Sequence, residues 1–235
     1  MFLHSQVMLG NQDINEHPSS AFRMLGYCPQ HDALWKNVTI REHIECYAAI
    51  RGVSRSDTPR IVDAYLNGLQ IMEHASKNAE ECSGGTRRKL SFALAMVGSP
   101  KVVLLDEPST GMDPRSKRFL WDTILASFQG KKGAVLTTHS MEEADALCSR
   151  VGIMVKGGLR CIGSTQHLKN LYGAGYTLEM KIGQKSMMME TDLSMSPSSP
   201  LRSSENSPSL GEADEGTYTC AKILSLVFCV AFFSF

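Results

Sequence analysis

Two adjacent carboxylates, Asp106 and Glu107, close the apolar run Val102-Val103-Leu104-Leu105. Four such residues in a row suit a strand buried on both faces of a parallel sheet. The C-terminal end of such a strand is where open α/β sheets bind ligands. In nucleotide hydrolysis one carboxylate holds magnesium, usually through water, while its neighbour polarises the attacking water. Asp106 suits the first task and Glu107 the second, although strands ending in two solvated acids are equally common without any such chemistry. A second candidate is Cys82-Ser83-Gly84-Gly85-Thr86, just ahead of a predicted helix. Its glycines let backbone approach a ligand closely, the helix start offers free N–H groups and positive dipole, and Ser83 adds a hydroxyl. The plain alternative is a helix entry through a glycine turn.

These groups need a frame to act together, and the flanking sequence supplies one. Residues 134–138 and 151–155 repeat the short, Val/Ile/Leu-rich pattern of 102–105, bounded by turn residues. A helix is predicted between the first two runs. Asp113 can cap it, Pro114 suits its first turn, Gly130 can end it, and Leu120, Ile124 and Phe128 recur on its sheet-facing side. Ser140 and Glu143 predict a capping box for the next helix. Alternating strands and helices are the grammar of an α/β fold. Residues 31–100 read differently: Thr39 and Glu42 form another capping box, Ile40, Ile44 and Tyr47 share a face, and 54–69 and 83–97 also have helical patterns. A helical insert is expected there, with short strands later at 158–162 and 176–182.

Order and spacing join the pieces. Gln30 ends Gly26-Tyr27-Cys28-Pro29-Gln30. Then follow Ser83-Gly84-Gly85, Asp106-Glu107, Ser109-Thr110-Gly111-Met112-Asp113 and Thr138-His139-Ser140. In this the sequence closely resembles the ABC ATPase family. Gln30 matches the Q-loop, Ser83 to Thr86 the signature, Leu105 to Glu107 the end of Walker B, Asp113 the D-loop and His139 the switch histidine. The resemblance implies ATP and Mg2+ as cofactors and a head-to-tail dimer with a second ABC ATPase domain. It also implies transmembrane domains as partners, and roles for matched positions. Glu107 and His139 would be catalytic, His139 meeting the γ-phosphate. Asp106 and Gln30 would serve the metal, and Gln30, Ser83, Gly84, Gly85 and Asp113 would bind nucleotide, the signature acting on ATP held by the partner. The wording around Gln30, Asp113 and His139, with Leu159-Arg160-Cys161-Ile162-Gly163-Ser164, is similar to the A subfamily of animal ABC transporters. Residues 172–181 look more like the second of its two ATPase domains. That subfamily implies a lipid handled by the membrane domain, and a place on the cytoplasmic face of a membrane.

The implied fold is α/β, P-loop NTPase-like (RecA-like), with a mostly parallel sheet and a helical insert at about 32–98. Residues 1–25 would be a remnant of an N-terminal β subdomain, and 26–182 a partial ATPase domain. The sequence departs from its family in one large respect: no Gly-x-x-x-x-Gly-Lys-Ser/Thr occurs in the 235 residues. The family places that loop upstream of Gln30, so the first strand and phosphate loop are expected to be missing and the chain to be inactive alone. The family also pairs the phosphate-loop strand beside the strand at 134–138, whose edge is therefore expected to stand unpaired. Cys82 and Thr86 also replace the usual signature residues. An alternative function is a non-catalytic regulatory partner lending its signature to another ATPase domain. A soluble ABC protein is a further option, which the A-type wording opposes.

The bulk composition agrees. Lys plus Arg and Asp plus Glu both number 24, giving zero net charge and no basic surface for nucleic acid. The seven cysteines form no Cys-x-x-Cys pair and fit a reducing compartment. The Ser/Pro-rich stretch 183–222 cannot bury enough surface to order itself and is expected to be disordered. The apolar tail 223–235 is shorter than the ~20 residues needed to span a bilayer as a helix.

Overall fold

The computed structural model describes residues 7–9, 12–128, 132–172 and 228–232. The expected disordered stretch 183–222, the strand expected at 176–182 and the helix stop at Gly130 lie outside them. A small hairpin, β1 (Met8–Leu9) and β2 (Gln12–Asp13), leads through α1 (Pro18–Met24) into β3 (Leu25–Cys28). Then come α2 (Ile40–Ile50), α3 (Thr58–Gly68) and α4 (Gly84–Met96), which precede β4 (Val102–Asp106). The remainder alternates: α5 (Pro114–Ser127), β5 (Gly133–Thr138), α6 (Met141–Leu147), β6 (Arg150–Val155), β7 (Gly158–Gly163) and α7 (Thr165–Tyr172), with β8 (Phe228–Phe232) near the end of the chain.

Local chemistry fixes most boundaries. Thr39 and Glu42 close the expected capping box on α2, satisfying two helix-start donors reciprocally. Asp113 caps α5 by accepting from the Ser116 N–H, with Pro114 in the first turn. At α6 only half of the expected box forms. Ser140 accepts from the Glu143 N–H, but the Glu143 side chain turns inward and accepts the Trp121 Nε1–H at 3.0 Å. A buried indole donor needs a partner more than an exposed helix start does.

The main sheet runs β3-β4-β5-β8-β6-β7. β3, β4 and β5 are parallel, so the C-terminal ends of all three, and the loops after them, emerge on one side. The core gathers where α4 and α5 cover this sheet: Leu90, Phe92, Val97, Val103, Leu105, Leu120, Ile124, Phe128 and Leu136 are all buried. Burying side chains of this size stabilises by roughly 1.5–3 kcal/mol each. β3 and α4 come so close at Gly26 that a Cβ there would stand 2.2 Å from the Ala95 carbonyl oxygen.

The edge of β5 is not open. β8 pairs antiparallel with β5, Thr138 opposite Cys229, and antiparallel with β6, Gly152 opposite Val230. The expected unpaired edge is corrected by the tail itself. An apolar segment with β propensity completes the ladders that β5 and β6 leave open between them.

Candidate functional site

Glu107 sits at the turn out of β4 with φ at +44°, a backbone conformation that costs a non-glycine residue of order 1–3 kcal/mol and concentrates at functional sites. The Glu107 N–H is held by the Thr137 carbonyl of β5 at 3.0 Å. Its side chain is 9% exposed and receives three donors. Gln30 Nε2, from the loop after β3, donates to Oε2 at 3.3 Å. The Thr110 hydroxyl, from the loop before α5, donates to the same oxygen at 3.0 Å. His139 Nδ1, just past β5, lies 3.1 Å from Oε1. Burial alone would push the carboxyl up, but the hydrogen bonds from Thr110, His139 and Gln30 outweigh it and hold it below its ordinary value. Asp106 lies alongside, with Oδ1 accepting from the Thr137 hydroxyl.

One residue that the motifs alone do not point to organises this arrangement. Arg88, in the second turn of α4, is only 3% exposed. Its Nη2 donates to the Asp106 and Glu107 carbonyls at 2.7 and 2.6 Å, and its Nε donates to the Pro108 carbonyl at 2.8 Å. Nη1 reaches the carbonyls of Pro29 and Gln30 at 2.5 and 3.1 Å and Asp32 Oδ1 at 3.3 Å. One guanidinium thus ties the loop bearing Gln30 to the loop bearing Glu107. The signal lay in the helix phase: Arg88, Ser91, Phe92 and Ala95 share one face, and all are buried.

Gln30, Asp106, Glu107 and His139 are therefore brought together. Ser83, Gly84, Gly85 and Asp113 make no hydrogen bond to that cluster among the described residues. Ser83 caps α4 by accepting from the Thr86 N–H at 3.1 Å, and the two hydroxyls lie 2.9 Å apart. Ser83 and Gly84 are exposed. A Cβ on Gly84 would meet nothing within 4 Å, and one on Gly85 only the Ser83 hydroxyl at 3.9 Å.

Comparison with known proteins places the chain in a family. The family profile for ABC transporters matches residues 4–110. The chain is 45% identical over 189 residues to the human cholesterol transporter ABCA5, covering 80% of this chain and 12% of that protein. It is 51% identical over 157 residues to human ATP-binding cassette sub-family A member 2, covering 67% of this chain and 6% of the relative. The chain carries an ATPase domain of the ABC transporter family. Its relatives make it an A-subfamily domain. The mouse ABC-type organic anion transporter ABCA8A is 48% identical over 178 residues, covering 75% of this chain and 11% of that protein. The chain thus spans about a tenth of the length of the curated relatives it matches. An ATP-binding subunit of an ABC transporter shares the fold with a TM-score of 0.63 at 22% identity, covering 70% of this chain and 69% of that one. The α/β, P-loop NTPase-like architecture follows. Domains of this family bind ATP, generally with Mg2+.

Proposed function

We propose that this ABC domain works within a larger membrane assembly, coupling ATP binding and hydrolysis to the transport of a lipid. The convergence of Gln30, Thr110 and His139 on the Glu107 carboxylate carries the reading. In it Glu107 orients and activates the attacking water, His139 meets the γ-phosphate, and Gln30 links metal and water to the membrane domain. Asp106 keeps Oδ2 free of hydrogen bonds among the described residues and fits magnesium as one ligand. No group of three or more His, Cys, Asp or Glu among those residues is placed to hold a metal, so the ion would arrive with phosphate and water ligands.

The triphosphate grip does not fit these residues alone. No Gly-x-x-x-x-Gly-Lys-Ser/Thr occurs in the sequence, and the position beside β5, where the family pairs its phosphate-loop strand, is held by β8. Supporting the dimer role is the emptiness around Gly84 and Gly85. Nothing among the described residues requires glycine there, which suits a ligand or partner approaching closely from outside. This observation favours a second reading as well, in which the chain lends its signature to another ATPase domain without turning over ATP itself. Lipid as cargo rests on the name of the ABCA5 relatives, and the organic-anion name of ABCA8A marks the other class to test. No helix among the described residues is long and apolar enough to cross a membrane, so the membrane partner would be a separate region or chain.

The reading is tested by mixing the chain with an A-subfamily ATPase domain that carries its own phosphate loop, in Mg-ATP, and following association by light scattering and turnover by phosphate release. ATP-dependent heterodimers are expected, with Ser83→Arg abolishing them and Glu107→Gln leaving them intact. Absence of association with the wild-type chain would remove the dimer role.

A further inference from the structure

β5 and β6 point the same way, yet they are not neighbours: the α6 crossover between them leaves one strand position open, and β8 lies in it antiparallel to both. Among the described residues, the strands from β3 to β7 join into one sheet only through β8, which comes from far along the chain, after residues 173–227. Val135 to Thr138 pair with β8 on one side, and Arg150 to Met154 pair with it on the other. A strand at an edge makes one ladder, whereas a strand in this gap makes two. Ladder bonds are made by backbone, so they accept any extended segment whose side chains suit a sheet covered on its faces. Residues 223–235 meet that chemistry, having no charged residue, no proline and no glycine.

We propose that the gap between β5 and β6 is a strand-acceptor site and that the 228–232 segment is its exchangeable occupant. The same segment from a second copy of this chain enters it in trans. The long connection between Tyr172 and Phe228 sets the balance. Tethering gives the chain's own strand an effective concentration that falls as the tether lengthens. A long tether therefore holds its strand less firmly against a copy at high concentration, which is the geometry of domain swapping. β8 begins opposite Thr138 and Met154, at the end of β5 from which His139 projects, so exchange occurs beside the candidate site. The inference rests on sheet topology alone and holds or fails independently of the ATPase reading.

The test uses the full chain with a specific protease site inserted between Pro200 and Leu201, cut after purification. The released tail fragment is expected to stay bound through size exclusion. A fluorescent peptide of residues 223–235 with a solubilising lysine tag should then replace it and co-elute one to one. The same peptide with V230P should be taken up at least ten-fold less, because proline removes a ladder donor. In the uncut wild-type chain the amides of Val135–Thr138 and Arg150–Met154 should exchange slowly with deuterium. Separation of the cut tail from a folded body would overturn the proposal. So would fast exchange at those amides in the uncut chain, or equal uptake of the proline peptide, which would mark non-specific apolar adhesion.

Discussion

At the residue scale, the site depends on two buried charged groups that manage burial in different ways. Arg88 offsets the burial of its guanidinium by donating to five backbone carbonyls and Asp32. Arg88→Met would strand several of these acceptors, each costing about 1–3 kcal/mol if left unsatisfied. A loss of at least about 3 kcal/mol in urea unfolding is therefore expected, with Arg88→Lys intermediate, since a single ammonium cannot reproduce the fork. Deuterium exchange should quicken first at residues 29–32 and 106–110. Glu107 keeps its charge through donors, so its folded carboxyl lies below the ordinary 4.5. The sign follows from linkage: this stabilisation is present above pH 4.5 and fades as pH falls through the depressed value. Glu42 and Asp113, also lowered by local hydrogen bonds, act in the same direction. Thr110→Ala removes one donor and should raise the Glu107 carboxyl in a carbon-13 titration. It should also narrow the stability difference between about pH 6 and pH 4. Asp106 and Glu107 were legible from their place at the end of an apolar run, and His139 only through the family resemblance; the structure brings all three together. Arg88 was harder to see because one arginine in a helix has no spacing signature, only its phase with a buried stripe.

At the scale of elements, what sequence revealed and what it concealed divide by range. Caps at Thr39, Asp113 and Ser140 are read within four residues, and all three accept the N–H expected. The side chain of Glu143 was misread because its partner, Trp121, lies on another helix. β8 was missed for the same reason on a larger scale, since both its neighbours lie far upstream in the chain and no local pattern announces a strand that fills a gap. The N-terminus of α4 gives a prediction of definite sign. Gly84 and Gly85 occupy helix positions with open space around them, and alanine is favoured over glycine in a helix by up to about 1 kcal/mol. G84A and G85A should each stabilise the isolated chain by a few tenths to about 1 kcal/mol while weakening ATP-dependent association with a partner domain. Thermal unfolding and light scattering on the same samples measure both. Destabilisation would mean that the glycines serve this fold itself.

For the whole molecule, the described residues bring together Gln30, Asp106, Glu107 and His139, which in the proposed function form the water-activating side of an ABC site. They leave Ser83 and Gly84 exposed for the proposed partner, but no phosphate-loop motif is present in the sequence to cradle a triphosphate. Without a phosphate-loop lysine and a ring of backbone donors, a bound triphosphate would face Asp106 and Glu107 with little compensation, and magnesium would lack the hydroxyl that normally completes its shell. A homodimer would repeat the deficit at both composite sites. Titration calorimetry of the purified full chain with Mg-ATP tests this most directly. No saturable heat at micromolar nucleotide, and no phosphate release, is the expected result. Saturable micromolar binding, with turnover that Glu107→Gln abolishes, would contradict it and require another segment of this chain to grip the phosphates.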